Sequence, residues 1–137
     1  IHDGEIYGIA KKEIAPVLIY AAAFDRSISR VALIDTYSSY RSIVMNRIYK
    51  PGFVFSAVPG ALKAFDLPDV AAALAPGKLL IAGITDGNGQ PLSSENAETD
   101  ISVIRTAYHY KNADQNFNIR YGDAGNKLYD LLEEWIK

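Results

Sequence analysis

Cysteine is absent from the 137-residue chain. Disulfides, thiolate catalysis and cysteine-ligated metals are therefore excluded, although a missing residue type does not fix a compartment. Histidine is scarce, with only His2 and His109. No group of His, Asp and Glu has metal-site spacing, so neither a metal nor another cofactor is expected. The phosphate loop Gly-x-x-x-x-Gly-Lys-Ser/Thr and the dinucleotide fingerprint Gly-x-Gly-x-x-Gly are both missing. The formal net charge is only −2, too little of either sign to draw in nucleic acid or an acidic membrane. No apolar run reaches membrane-spanning length, and the opening "IHDGE" lacks the basic and apolar regions of a signal peptide. The chain does not begin with Met, and we expect it to be part of a longer polypeptide.

What is present is the composition of a folded domain. About half the residues are apolar (49%) and 22% are charged, which suits a single globular unit of this length. Short β-rich runs alternate with helical ones. "EIYGIA" reads as a strand, and "KKEIAPVLIYAAAFD" as a helix that tolerates Pro16 only in its first turn. That helix is apolar on nearly every side, so deep coverage is expected. "RVALIDT" is a continuous apolar strand of the kind buried on both faces of a parallel sheet. "SSYRSIVMNRIY" reads as a helix behind a serine cap, and "KPGFVFSAVPGALKAF" as an excursion broken by Pro51, Gly52, Pro59 and Gly60. "DLPDVAAALAPG" is a small helix capped by Asp66, with Pro68 and Asp69 in its first turn.

"KLLIAGITD" is the third strand and "GNGQPLS" a loop. Ile101, Ile104, Ala107 and Tyr108 form a helical stripe between Ser94 and Lys111. "FNIRYGD" is the fourth strand, and Leu128, Leu131, Leu132, Trp135 and Ile136 mark one face of a closing helix. The expectation is an α/β fold: a three-layer sandwich with a mainly parallel sheet of about four strands and helices on both faces.

The blocks "YGIAKKEIAPVLIYAAAFDRSISRVALIDTYSSY" and "VPGALKAFDLPDVAAALAPGKLLIAGITDGNGQPLS" resemble the C-terminal half of an α/β-hydrolase, in particular bacterial proteins grouped with acetyl xylan esterases and related carbohydrate esterases. The run Asp66 to Leu80 is the most telling; the rest is general α/β wording. The resemblance covers most of this chain but about half of a typical member. It implies an elbow Gly-x-Ser-x-Gly between the first strand and helix. The matching positions are Gly8, Ile9, Ala10, Lys11 and Lys12. Ala10 thus takes the nucleophile's place with a methyl group that cannot attack a carbonyl, and Lys12 replaces the second glycine. Asp86, followed by Gly87-Asn88-Gly89, matches the acid. The triad histidine should follow the last strand, but Tyr121-Gly122-Asp123-Ala124-Gly125 contains none.

Every candidate also has an ordinary reading. Asp86 beside Gly87 is common turn chemistry. His109, late in a helix, suits the helix dipole as a surface residue, and His2 lies near the terminus. Ser38 and Ser39 end a strand, where α/β sites gather, yet they serve equally as helix caps. Lys11 and Lys12 begin a helix where phosphate binding is physically feasible, and a solvated helix start is the preferred reading. Tyr37, Tyr40, Tyr49, Tyr108 and Tyr110 would stack on sugar rings if clustered at the surface; the alternative is core edge.

The expectation is an esterase-related hydrolase domain without independent catalysis. The alternatives are a live carbohydrate esterase completed by a missing N-terminal half or second subunit, and a non-catalytic binding or assembly module. The first strand would then be an edge with unpaired backbone groups, seeking a homo-oligomeric partner or an N-terminal half. Carbohydrate is the ligand class the resemblance implies, and a periplasmic or secreted location is its implied compartment.

Overall fold

The computed structural model describes residues 4–123 and 125–137; His2 and Ala124, named above, lie outside them. The strands are β1 (Ile6–Lys11), β2 (Ile28–Tyr37), β3 (Lys78–Thr85) and β4 (Phe117–Arg120). They form one all-parallel sheet in the spatial order β1-β2-β3-β4. The α-helices are α1 (Ala15–Phe24), α2 (Tyr40–Val44), α3 (Pro51–Val54), α4 (Leu67–Ala72), α5 (Ser94–Tyr110) and α6 (Leu128–Ile136).

Because each strand is laid beside the last in the same direction, right-handed crossovers put the intervening helices on one face. Ile19 and Ala22 of α1, Ala71 of α4 and Ile101 and Ile104 of α5 share one core with Val31, Leu33, Leu79 and Ile81 of the sheet. α6 crosses back over the opposite face. There Trp135 and Leu132 pack on Ala32 and Leu80, and Leu128 and Leu131 on Ile34 and Ala82. Ile136, assigned above to the same helical face, is 46% exposed instead. The three-layer α/β architecture is thus present, and the strand alternation of β2 and β3 explains their apolar runs: both faces are covered.

Local chemistry sets the element ends. Ser39 Oγ accepts from the Ser42 amide at 3.1 Å and opens α2. Asp66 and Asp69 form a capping box at α4, with Pro68 in the first turn. The Asp66 carboxylate also accepts from the amides of Tyr40 (2.6 Å) and Arg41 (3.1 Å). One side chain therefore holds the starts of two helices that are remote in sequence. Under this junction lies a second core of Tyr37, Tyr40, Ile43, Phe53, Ala61 and Leu67. It anchors the excursion between β2 and α4.

Three tyrosines are nearly inaccessible: Tyr37, Tyr40 and Tyr108. Tyr108 donates to the Gly77 carbonyl at 2.8 Å. Burial pushes the phenols up from 10.0, Tyr37 to about 12 and Tyr40 and Tyr108 further. A phenol held neutral in the fold but free to ionise when unfolded contributes full stability below its unfolded value and loses it as pH rises. Stability should therefore fall progressively above pH 10 and continue falling to about 12 and beyond, as read by denaturant titration. Tyr37→Phe should flatten part of that decline.

Candidate functional site

The carboxyl ends of the strands are shaped by a matched irregularity in β2 and β3. Asp35 (φ 50°) and Gly83 (φ 78°) both adopt left-handed backbone in mid-strand. The ladder passes from Ile34↔Ala82 directly to Thr36↔Ile84 and omits them. Each strand thus carries one extra residue at the same level, so the register survives while the side-chain alternation shifts. Ile81 and Ile84, three apart, consequently face the same core. Gly83 is required twice over. Its backbone favours glycine, and a Cβ there would lie 2.5 Å from Asp35 Oδ1 and 3.2 Å from the Gly122 carbonyl.

This kink helps to line a crevice of about 230 Å³ with Lys12, Lys50, Phe53, Thr85 and Asp123 around Asp35 and Gly83. It lies at the carboxyl ends of the strands, where α/β sheets bind ligands. Lys11 Nζ approaches Asp35 Oδ2 at 3.2 Å. The Lys50 ammonium stands 5.4 Å from the Phe53 ring centroid, a cation–π contact. Thr85 is 6% exposed, and its buried Oγ1 has no partner among the described residues. Asp123 accepts from the Gly125 amide at 2.9 Å. Opposed charges beside Phe53, Ile84 and Pro91 give the crevice a mixed lining suited to a small hydroxylated or charged ligand.

The strand-to-helix turn differs from the sequence expectation. Ala10 is not at its tip: it lies inside β1, paired with Leu33, 7% exposed and packed in the main core. The strand continues through Lys11, and a short 3₁₀ turn over Lys12–Ile14 leads into α1. The left-handed residue is Lys12, with φ 55°. The tip therefore falls two residues later than the resemblance to a Gly-x-Ser-x-Gly elbow implies. The physical reason is that Pro16 fixes the first turn of α1, leaving β1 free to extend. Lys12, not Ala10, lines the crevice.

Asp86 follows the end of β3 but does not line that crevice. Its Oδ1 accepts from the amides of Asn88 (2.8 Å) and Gln90 (2.9 Å), and its Oδ2 from Asn46 Nδ2 (3.2 Å). The carboxylate is engaged in folding its own loop and faces a separate open depression shared with Ser38, Ser39, Arg41 and Asp100. Arg41 there is paired with Asp100 at 2.6 Å. Ser39 is fully buried as the α2 cap, and Ser38 lies beside it, the two oxygens 3.5 Å apart. His109 is exposed at the end of α5, its Nδ1 3.1 Å from Asp114 Oδ1. The tyrosines do not form a surface sugar platform. Tyr37 and Tyr40 pack with Phe53 inside, whereas Tyr49 and Tyr110 are exposed.

Sequence reasoning did not single out Asp35, Gly83, Thr85 or Lys50. The available signal was Gly83, because an isolated glycine in a strand marks a bulge or close approach. Comparison with family models, with curated proteins and with solved structures yields no match. Among the described residues, no group of three or more His, Asp or Glu is placed to hold a metal ion.

Two substitutions probe this geometry. Gly83→Ala should cost more than about 2 kcal/mol, since it combines left-handed strain with a steric clash. Lys12→Gly should stabilise the fold by about 0.5–1 kcal/mol by relieving the same backbone conformation. Chemical denaturation measures both.

Proposed function

We propose that this chain is a hydrolase-derived α/β domain, related to acetyl xylan esterases and other carbohydrate esterases, that binds a ligand in its crevice without cleaving it. Several features support the reading. The strands progress in one direction, three packed helices cover one sheet face and the closing helix covers the other. The crevice lies at the strand carboxyl ends, beside a strand-to-helix turn whose tip is in left-handed backbone. That is where an ester hydrolase of this architecture places its nucleophile.

The observation that carries the reading is the residue at that tip. Lys12 supplies neither hydroxyl nor thiol, and among the described residues no histidine lines the crevice. Acyl transfer needs an attacking oxygen or sulfur and a base to take its proton. Asp86, the acid expected from the alignment, has its carboxylate committed to backbone and Asn46 donors. A live esterase completed by another segment would need to deliver its nucleophile to a turn that Lys12 already occupies. The ligand we assign is a carbohydrate fragment, by the same resemblance, held by Lys12, Lys50 and Asp35.

Purified protein should show no hydrolysis of a chromogenic acetyl ester above buffer. Asp86→Ala should leave that baseline unchanged while lowering stability by about 1–3 kcal/mol, through the amides it orphans. Turnover that disappears with Asp86→Ala would overturn the reading. Binding is checked separately. Acetylated xylo-oligosaccharide should shift the amide resonances of Gly83, Thr85 and Gly122, and unperturbed spectra at saturating sugar would remove the carbohydrate assignment.

A further inference from the structure

β1 is an outer strand, bonded to β2 on one side only. Its amides alternate in direction. The Ile6 N–H donates to the Ser27 carbonyl at 3.0 Å; the register slips by one residue in β2 between the Ile6 and Tyr7 pairs, and with the alternation of β1 itself carried through that slip, Gly8 and Ala10 turn toward β2. Tyr7, Ile9 and Lys11 turn their peptide groups away from the sheet. Such a row is a template for another strand, and the devices that usually blunt an edge are sparse here. β1 contains no proline, and its sole charge, Lys11, is drawn toward Asp35 at 3.2 Å.

The surface around the row is apolar. Ile6 is 47% exposed, Tyr7 40% and Ile9 50%. The adjoining helix α1 is apolar throughout, yet Ile14, Val17, Ala21 and Phe24 lie on an exposed stripe at helical spacing, Phe24 at 89%. A helix apolar on all sides is ordinarily covered on all sides.

We propose that this edge is occupied by the same edge of a second copy of this chain, with the two β1 strands antiparallel about a two-fold axis at Gly8. The outward peptide groups dictate the parity of the register: Tyr7, Ile9 and Lys11 must meet outward residues of the partner. Centred on Gly8, Tyr7 opposes Ile9 of the partner subunit, an aromatic and a β-branched residue on the same sheet face, the kind of pair that stabilises sheets. Glu5 then opposes Lys11 of the partner subunit, and Lys11 opposes the partner's Glu5; within the chain Glu5 lies 3.8 Å from Arg30 and Lys11 3.2 Å from Asp35, so pairing across the axis adds a second opposite charge to each. The charges are self-complementary at both ends, as an isologous interface requires. At the axis glycine meets glycine, and the Leu18 side chain that packs over Gly8 lies between the two α1 helices, whose exposed stripes approach on one face. The result is a continuous eight-stranded sheet whose assembly does not depend on how the crevice is read.

Sedimentation equilibrium tests this directly. The wild-type chain should be a dimer that dissociates on dilution. Glu5→Lys and Lys11→Glu should each weaken association at least tenfold, because each places like charges opposite one another twice. An equimolar mixture of the two variants should associate again, since the heterodimer restores both opposite-charge pairs. Circular dichroism of the separated variants confirms that each remains folded. A wild-type chain that stays monomeric at high concentration overturns the proposal and leaves the edge to a strand of another polypeptide. It is equally overturned if the single variants dimerise like wild type, or if the mixture associates no better than either variant alone.

Discussion

The left-handed pair Asp35 and Gly83 is the constraint on which the carboxyl end of this sheet depends. Without the extra residue in each strand, alternation would carry Ile84 to the α6 face and break its packing with Ile81 in the main core. With it, two adjacent strands change phase together and keep their hydrogen-bonded register. Neither strand can do so alone. A lone bulge in β3 would shift its pairing with β2 by one residue, which inverts every side chain beyond it. The left-handed Asp35 is tolerable because its neighbour has no Cβ and because Lys11 lies within 3.2 Å of its carboxylate. Packing on one face and polarity of the crevice thus share a single cause.

The excursion between β2 and α4 is held by a different economy. Its helices are only four to six residues long, too short for stability of their own. Asp66 compensates by accepting backbone donors from both α2 and α4. Tyr37, Tyr40 and Phe53 fill the space beneath, with the Tyr40 hydroxyl hydrogen-bonded to the Tyr20 hydroxyl and the Ser56 carbonyl. This packing fixes Lys50 and Phe53 over the crevice. The aromatic residues therefore shape the site from behind rather than presenting a face to a ligand.

The fold was readable where burial and local chemistry agree. Continuous apolar runs gave β2 and β3, and Asp66-Leu67-Pro68-Asp69 gave the start of α4 with its cap. The site was less readable because its determinants are relational. Asp35 reads as one polar residue in an apolar strand, and its meaning emerges only beside Gly83. Asp86 carries the same residue type and neighbours as a catalytic acid or an Asx turn, and only its three hydrogen-bond donors decide its occupation. β1 runs on through Lys11, beyond its apolar stretch, because β-propensity does not mark where a strand stops. Pro16 carried the missing information, since a proline in the first helical turn bounds the turn from its far side.

Edge and crevice meet at two consecutive lysines. Lys11 ends β1 with its peptide group turned outward, and its ammonium reaches back to Asp35. Lys12 follows in left-handed backbone and lines the crevice. Any strand that docks on β1 fixes the backbone of Lys11, and through it the direction in which Lys12 enters the turn. A partner at the edge would therefore restrict Lys12, one of the two left-handed non-glycine residues of the crevice wall, without touching the crevice. Strain of this kind persists only where the surrounding structure over-determines it. In the single chain β2 restrains one side of β1 alone, and a strand on the other side would add a second restraint.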